Sequence, residues 1–234
     1  MSKKEYHWIP ALDCLDLREA ERVVSAVARH ERLYGFKVGF TLGLSHGLPK
    51  VVKMIRKHSD KPIIYDHQKA GTDIPEMGER FAATLKKAGI DEAILFAQAG
   101  PATLNSWIKA LRNEGIKVIV GTLMTHACFL RGEGGYLDDS FPDQVFRLAL
   151  ANSVSSFVVP LTKPAMVKSL IERHPEGRDA EFYSPGFGAQ GGDPHAFPFI
   201  GRHHLIVGRS LFKADDPVKW LAEANRNLEE QNEA

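Results

Sequence analysis

Short apolar runs and longer amphipathic segments alternate along the whole chain of 234 residues. The apolar runs have the length of buried strands and span residues 8–12, 35–40, 62–65, 92–96, 117–121, 155–160, 180–183 and 204–207. The segments between them have helical periodicity and span residues 16–34, 48–58, 75–88, 102–114, 141–152, 163–174 and 217–230. The connection 191–201 is short and poor in helix-forming residues, so we expect no helix there.

Several predicted helices begin with residues that cap a helix N-terminus. An acceptor side chain followed three residues later by an acid matches the capping box, in which each side chain binds a free backbone amide. The matching pairs are Asp16 with Glu19, Asp73 with Glu76 and Ser140 with Asp143, and Asp216 is a cap followed by Pro217. These positions support the predicted helix boundaries.

Eight strands that alternate with helices predict an α/β fold, a (β/α)8 TIM barrel, at a length close to the typical ~250 residues. A doubly wound open sheet is the alternative. No linker, composition shift or low-complexity block divides the chain, so residues 1–234 are interpreted as a single barrel domain. The polar C-terminal tail, residues 226–234, is expected to fray.

Composition narrows the functional classes. The 30 Lys and Arg residues balance 29 Asp and Glu residues, and no basic run occurs, which argues against a nucleic-acid partner. Only two cysteines are present, so a disulfide framework is not implied and a reducing compartment is expected. No apolar run of about 18 residues and no N-terminal leader pattern occurs, so we expect a soluble, cytoplasmic protein without a membrane partner.

Polar side chains follow most of the predicted strands, at the end of a barrel where chemistry gathers. They are Asp13, Lys37, Asp66, Lys69, Thr122, Thr125, Ser184 and Arg209. Each also has a structural explanation. Asp13 can cap a turn, Lys37 can lie on the outer face of its strand, and Asp73 can be a helix N-cap. Alternation with Phe36, Val38 and Phe40 favours an inward Lys37.

Residues 66–75, DHQKAGTDIP, are the strongest candidate for chemistry because charged side chains cluster where a strand ends and a helix begins. Such a cluster destabilises a fold unless its charges are paired, so its presence suggests a functional site. Lys69 lies in sequence between Asp66 and Asp73, and both acids favour its protonated form. Lys69 is therefore a candidate proton donor to a developing carbanion.

A glycine-rich loop follows the seventh strand, residues 184–194, SPGFGAQGGDP. It contains G-x-G-x-x-G, but this pattern marks a dinucleotide site only in an early strand–helix turn, which is not its position here. Its amides can instead approach a phosphate, and Gly208-Arg209 after the eighth strand adds a cation. Loops after strands seven and eight commonly bind phosphate in these barrels.

Other polar features point to no metal or cofactor. The 10 histidines form no zinc-binding motif, and His203 and His204, as sequence neighbours, face opposite sides of a strand. We therefore expect no metal site. The segment 127–139 contains three glycines, and either an active-site cover or a surface excursion fits this pattern.

Together these residues resemble the orotidine 5′-phosphate decarboxylase family, over essentially the whole sequence. The strongest markers are Asp73-Ile74-Pro75, the loop of residues 184–194 and Val207-Gly208-Arg209-Ser210. Weaker markers are residues 11–13, 36–39 and 124–126. The resemblance implies cofactor-free decarboxylation of orotidine 5′-monophosphate to UMP in pyrimidine biosynthesis.

The resemblance also implies roles for individual residues. Asp13 would bind the ribose hydroxyls, Lys37 and Asp66 would belong to a charge network around the ribose and the reacting carbon, and Lys69 would donate the proton. Thr125 would contact the pyrimidine, and Pro185, Gln190, Gly191, Gly208 and Arg209 would form the phosphate side of the site. Asp73 and Ile74 would reach into the active site of a second subunit, which makes a homodimer the expected active form.

One spacing departs from the family pattern. The family usually shows Asp-x-Lys-x-x-Asp, whereas this chain has Asp66-x-x-Lys69-x-x-x-Asp73, with one more residue on each side of the lysine. Two alternatives stay open at this stage. One is a Mg²⁺-dependent enzyme similar to hexulose-phosphate synthase, and the other is a catalytically silent nucleotide-binding paralogue.

Overall fold

The computed structural model describes residues 4–67 and 73–233, which form an eight-stranded parallel barrel surrounded by helices. The strands are β1 (Glu5–Pro10), β2 (Phe36–Gly39), β3 (Ile63–Asp66), β4 (Glu92–Phe96), β5 (Lys117–Gly121), β6 (Ser156–Val158), β7 (Glu181–Pro185) and β8 (Arg202–Val207). The helices are α1 (Leu17–Val27), α2 (Phe40–His46), α3 (Leu48–Arg56), α4 (Gly78–Ala88), α5 (Pro101–Asn113), α6 (Phe141–Ala151), α7 (Pro164–Arg173), α8 (Arg209–Phe212) and α9 (Pro217–Glu233). The predicted TIM barrel is confirmed.

The sheet runs in the order β1-β8-β7-β6-β5-β4-β3-β2, and every pairing in it is parallel. Isolated bridges between Trp8 and Leu33 and between Ala11 and Lys37 bring β1 and β2 together. The amide of Leu12 also donates to the carbonyl of Lys37 at 2.8 Å. These contacts join the two outer strands and nearly close the barrel.

Two apolar layers hold the architecture. One fills the barrel interior with side chains such as Ile9, Ile64, Ile94 and Ile119, and the other lies between the strands and the helices. Strands buried on both faces read as continuous apolar runs in the sequence, which is why β4 and β5 have the predicted bounds.

The helix predictions need several corrections. The helix predicted over 16–34 ends at Val27, because the chain turns there and Leu33 pairs with Trp8. An additional helix, α2, precedes α3, and Gly47 with φ of 77° separates the two. The polar tail, expected to fray, is helical as far as Glu233, and Leu228 within it is buried. In the connection 191–201 the structure has only the 3-10 turn Pro194–Ala196.

Two of the predicted capping boxes do not form. Asp16 accepts the amide of Arg18, and Asp216 accepts the amides of Val218 and Lys219, as expected for caps. Asp73 instead accepts the amide of the adjacent Ile74, which itself occupies the cap position of the 3-10 turn Pro75–Met77. Ser140 makes no cap bond, because its amide and hydroxyl both donate to Asp138.

Candidate active site

A buried lysine lies between two carboxylates at the C-terminal end of the barrel strands. Nζ of Lys37 is 2.8 Å from Oδ2 of Asp66 and 3.1 Å from both carboxylate oxygens of Asp13. Asp66 has no exposed surface and Lys37 is 3% exposed. Burial opposes the charge on Lys37, but the carboxylates of Asp66 and Asp13 outweigh it and raise the pKa of Lys37 above its usual value. The lysine therefore stays charged at neutral pH.

The strand register brings these three side chains together. Lys37 pairs with Ile64 and Gly39 with Asp66 across β2 and β3, so the two charged residues belong to neighbouring strands. Asp13 lies just beyond β1, next to the bridge between Ala11 and Lys37. A Cβ atom on Gly39 would lie 2.7 Å from Oδ1 of Asp13, so only glycine leaves room for that carboxylate. The expectation that Lys37 points into the barrel is confirmed.

These charged groups form part of the wall of a cavity of about 560 Å³, a size suited to a small-molecule ligand. Of the residues proposed from sequence, those that line it are Asp13, Lys37, Asp66, Thr125, Pro185, Gln190, Gly208 and Arg209. They lie in or just after six different strands, β1, β2, β3, β5, β7 and β8, so the barrel topology alone assembles them. Function at the strands' C-terminal ends is the usual arrangement in this fold.

The glycine loop after β7 forms one side of the cavity. Gly186 and Gly188 have φ angles of 116° and 74°, which favour glycine, and a Cβ on Gly188 would lie 2.6 Å from the hydroxyl of Ser210. Gln190 is exposed, and the Arg209 side chain is exposed at the start of α8. Within the described part of the chain, no acidic side chain is within ion-pair distance of Arg209, which leaves its charge available for an anion.

Aromatic packing fixes the root of this loop. Phe187, which lines the cavity, packs edge-on against Trp8 of β1 and Trp220 of α9, with ring centroids 5.2 and 6.1 Å away. Ser184 at the loop's start is bound to His203 at 2.7 Å, and both side chains are buried. The loop is therefore tied to the first strand and to the last helix.

The remaining predicted residues lie elsewhere. Asp73 and Ile74 are exposed and do not line the cavity of this subunit. Gly191, with φ of 72°, belongs to the loop but also does not line the cavity. Lys69 lies outside the described residues.

The sequence analysis missed several groups at the site. Leu123, Met124 and Phe212 add apolar surface to the cavity, and Cys14, Glu19 and Lys213 add polar groups. Lys213 is four residues after Arg209, so helical spacing would have identified it as a second cation on the same side. Burial raises the pKa of the Cys14 thiol to about 11, with further contributions from Glu19 and Asp13, so this thiol is protonated at neutral pH.

The segment 127–139, left undecided above, is joined to the loop that follows β6, and this loop also contacts Thr125. The Thr162 hydroxyl donates to the carbonyl of Thr125 at 3.2 Å, and Lys163 forms an ion pair with Glu133. Phe129 and Leu130 within the segment are buried. The ion pair of Glu133 with Lys163 therefore attaches the segment to the end of the loop that follows β6.

The model of the Orotidine 5′-phosphate decarboxylase / HUMPS family matches residues 7–224. The chain belongs to this family. It is 30% identical over 221 residues to the orotidine 5′-phosphate decarboxylase of Methanosarcina mazei, which covers 94% of each chain. It is also 30% identical over 237 aligned residues to that of Methanosarcina barkeri, which covers 98% of this chain and 100% of the relative.

A solved structure extends this likeness to three dimensions. Orotidine 5′-monophosphate decarboxylase from Methanocaldococcus jannaschii, complexed with inhibitor BMP, is 28% identical, with a TM-score of 0.77 over 91% of this chain and 94% of that chain. The resemblance to the decarboxylase family noted from sequence is confirmed, and with it the prediction of an orotidine 5′-phosphate decarboxylase.

Proposed function

We propose that this chain converts orotidine 5′-monophosphate to UMP and CO₂ without a cofactor, with Lys69 as the proton donor. The observation that carries the proposal is the ion triad of buried Lys37 and Asp66 with Asp13 in the wall of a nucleotide-sized cavity. A decarboxylase that lacks an electron-accepting cofactor needs fixed charge near the carbon that becomes an anion.

The cavity divides naturally into three parts for the substrate. Arg209, the amide of Gly208 and Gln190 would bind the phosphate, with Pro185 and Gly191 shaping that side. Asp13 and Lys37 would bind the ribose hydroxyls, and Thr125 would contact the pyrimidine. This assignment is supported by the exposed cation at Arg209 and by the glycine loop and the ion triad lining the same cavity.

In the reaction the bond between C6 and the carboxylate carbon breaks, CO₂ leaves, and the electron pair remains on C6. The Lys69 ammonium group then transfers a proton to C6, and the neutral amine regains a proton from water. Asp66, together with the partner subunit's Asp73 in the homodimer proposed below, keeps Lys69 charged until that step. Phosphate binding far from C6 would drive closure of the glycine loop and so organise the site.

Magnitudes show which effect dominates. A reaction this difficult requires barrier lowering toward the upper part of the enzymatic range, about 23 kcal/mol. Repulsion between Asp66 and the substrate carboxylate supplies on the order of 4 kcal/mol at about 4 Å and an effective dielectric near 20. Stabilisation of the carbanion by fixed positive charge must therefore supply the larger share.

We further propose that the active form is a homodimer in which Asp73 and Ile74 complete the partner's site. Ile74 is 58% exposed, although it is a large apolar residue. Leu15, Leu44 and Tyr136 are more exposed still, and they lie in segments that follow β1, β2 and β5. An apolar surface concentrated at the cavity end of the barrel favours association of two copies there.

We also propose a cytoplasmic location. Both cysteines are free, Cys14 half-buried and Cys128 exposed. No helix in the described part of the chain has the length and apolar character needed to cross a bilayer. Fractionation of cells followed by immunodetection tests the location directly.

The decisive experiment follows the ultraviolet absorbance of orotidine 5′-monophosphate mixed with the purified protein, with and without EDTA. We expect turnover that EDTA does not affect. Turnover abolished by EDTA and restored by Mg²⁺ would instead favour a hexulose-phosphate synthase-like enzyme. UMP binding without any absorbance change would identify a catalytically silent nucleotide-binding protein.

A further inference from the structure

The segment that carries Lys69 is held at both of its described ends by the same helix. On the N-terminal side, the ring of His67 directly follows buried Asp66 and packs against Phe81 and Trp107, with centroids 4.6 and 5.4 Å away. Burial lowers the pKa of His67 below its usual value, so the ring is neutral at pH 7 and packs as an aromatic surface. His67 is thereby fixed against α4 and α5.

On the C-terminal side, two neighbouring residues of α5 bind the backbone that follows Asp73. Nε1 of Trp107 donates to the carbonyl of Ile74 at 3.1 Å, and the hydroxyl of Ser106 donates to the carbonyl of Pro75 at 2.8 Å. The carboxylate of Asp73 in turn accepts the amide of Ile74 at 2.8 Å. The main chain of Ile74 is therefore fixed while its side chain stays exposed.

Trp107 is itself rigidly placed. It is 2% exposed, and its ring stacks on Phe81 with centroids 4.6 Å apart and an interplanar angle of 26°. A Cβ atom on Gly78, the first residue of α4, would lie 2.8 Å from Cδ1 of Trp107. The close approach of α4 to this indole therefore requires glycine at position 78.

We propose that Trp107, assisted by Ser106, is a positioning residue that fixes the ring of His67 and the main chain of Ile74 and Pro75, and so sets the place of Asp73. The proposal rests on the function proposed above. A displacement of a reacting group by about 1 Å can cost about 100-fold in rate, so this restraint matters for turnover.

Three variants test the proposal. Trp107→Phe keeps the aromatic stack with Phe81 and His67 but removes the donor to Ile74. Ser106→Ala removes the donor to Pro75, and the double variant removes both. The matched control is Ser25→Ala, because the Ser25 hydroxyl also donates to a backbone carbonyl, that of Arg22 at 3.1 Å, on the exposed side of α1.

The measurements separate positioning from general destabilisation. For each variant we would measure kcat with orotidine 5′-monophosphate, the Kd of UMP, and the rate at which the C6 hydrogen of UMP exchanges in D₂O. We expect kcat and the exchange rate to fall about 5- to 10-fold in each single variant and further in the double variant, with the Kd of UMP within about twofold of the unmodified protein. Ser25→Ala should change none of these quantities.

Two results would overturn the proposal. One is a kcat within about twofold of the unmodified protein in the double variant, and the other is a Kd for UMP that rises in proportion to the loss of kcat. If Trp107→Phe does not fold, Ser106→Ala alone is judged by the same criteria. Failure of the unmodified protein to decarboxylate the substrate would contradict the proposed function instead, which keeps the two failures distinguishable.

Discussion

Two lysines inside the barrel have similar partners but opposite surroundings. Lys37 lies between Asp13 and Asp66 at the C-terminal end of the strands, and Lys117 lies near Glu92 and Glu181 at the N-terminal end. Lys117 also contacts the hydroxyls of two tyrosines, Tyr34 at 3.0 Å and Tyr183 at 2.9 Å. Lys37 lines a cavity, whereas Lys117 is partly exposed and its ammonium group is surrounded by carboxylates and tyrosine hydroxyls of the protein.

The difference shows that a charged cluster indicates a reactive site only when space for a ligand accompanies it. At the N-terminal end, burial raises the pKa of Glu92, and His204 packs between the rings of Tyr34 and Tyr183. Every charge there is matched by protein, so the cluster stabilises the fold. At the other end the ion triad lines a cavity that a substrate would occupy, so its charges can act on that substrate.

The largest expected effect is at the cavity end. Lys69→Ala should reduce kcat for decarboxylation on the order of 10⁴-fold, because it removes both the proton donor and a fixed positive charge. UMP should still bind with a Kd within about threefold, since phosphate contacts dominate its affinity. Steady-state kinetics and calorimetric titration measure the two quantities, and near-normal turnover would remove Lys69 from the mechanism.

Replacing the two compared lysines in parallel tests the contrast most directly. Lys37→Met should lower kcat/KM by about 100- to 1,000-fold, as expected for loss of a preorganised charge. Lys117→Met should leave kcat/KM of the folded protein unchanged but lower the free energy of unfolding by about 2 kcal/mol, since Lys117 is partly exposed. If Lys117→Met loses a larger fraction of its activity than of its folded protein, the N-terminal and C-terminal ends of the barrel are not independent.

The phosphate side should show a smaller and more selective effect. Arg209→Ala removes a charge-assisted contact worth about 1.5–3 kcal/mol, which corresponds to a 10- to 100-fold weaker affinity for UMP. The affinity for uridine, which has no phosphate, should stay the same. Titration with both ligands provides the check, and equal losses for the two would rule out phosphate binding by Arg209.

The smallest effect concerns the stability of the N-terminal end of the barrel, where His204 packs near Lys117. Burial lowers the pKa of His204 to about 3, so the unfolded chain binds a proton that the folded protein excludes between that value and about 6.5. Stability must then fall as pH falls through this window, by about 2 kcal/mol between pH 7 and pH 5 for this one group. His204→Phe should remove that part of the pH dependence in urea denaturation, and an unchanged slope would contradict it.

Much of the fold was predictable because parallel barrel strands are buried on both faces, which gives uninterrupted apolar runs such as those of β4 and β5. The cavity residues were also predictable, since strand ends converge in a barrel whatever their separation in sequence. Helix ends were predicted less well: Asp73 has a capping pattern, yet its carboxylate binds the adjacent amide of Ile74. Which amide the carboxylate binds depends on tertiary contacts, here the hydrogen bond from Trp107 to the carbonyl of Ile74. A local sequence pattern does not contain such contacts.

The site residues that escaped prediction share a physical reason. Phe212, Met124 and Phe187 line the cavity through side chains that resemble ordinary core residues in sequence. The α2 helix was missed because Phe40 continues the apolar run of β2, and only Gly47 marks where the helix ends. The spacing between Asp66 and Asp73 was evident from the sequence. The contacts of His67 and Ile74 with Trp107 of α5 became evident only from the three-dimensional structure.

The edge-on packing of Phe187 between Trp8 and Trp220 gives this protein an intrinsic spectroscopic probe. Indole emission is sensitive to nearby rings and to solvent, so any rearrangement of the glycine loop during nucleotide capture would alter the fluorescence of the unlabelled chain. Stopped-flow mixing with UMP would then time the movement directly. Trp220 of the last helix would be one of the two indoles that report it.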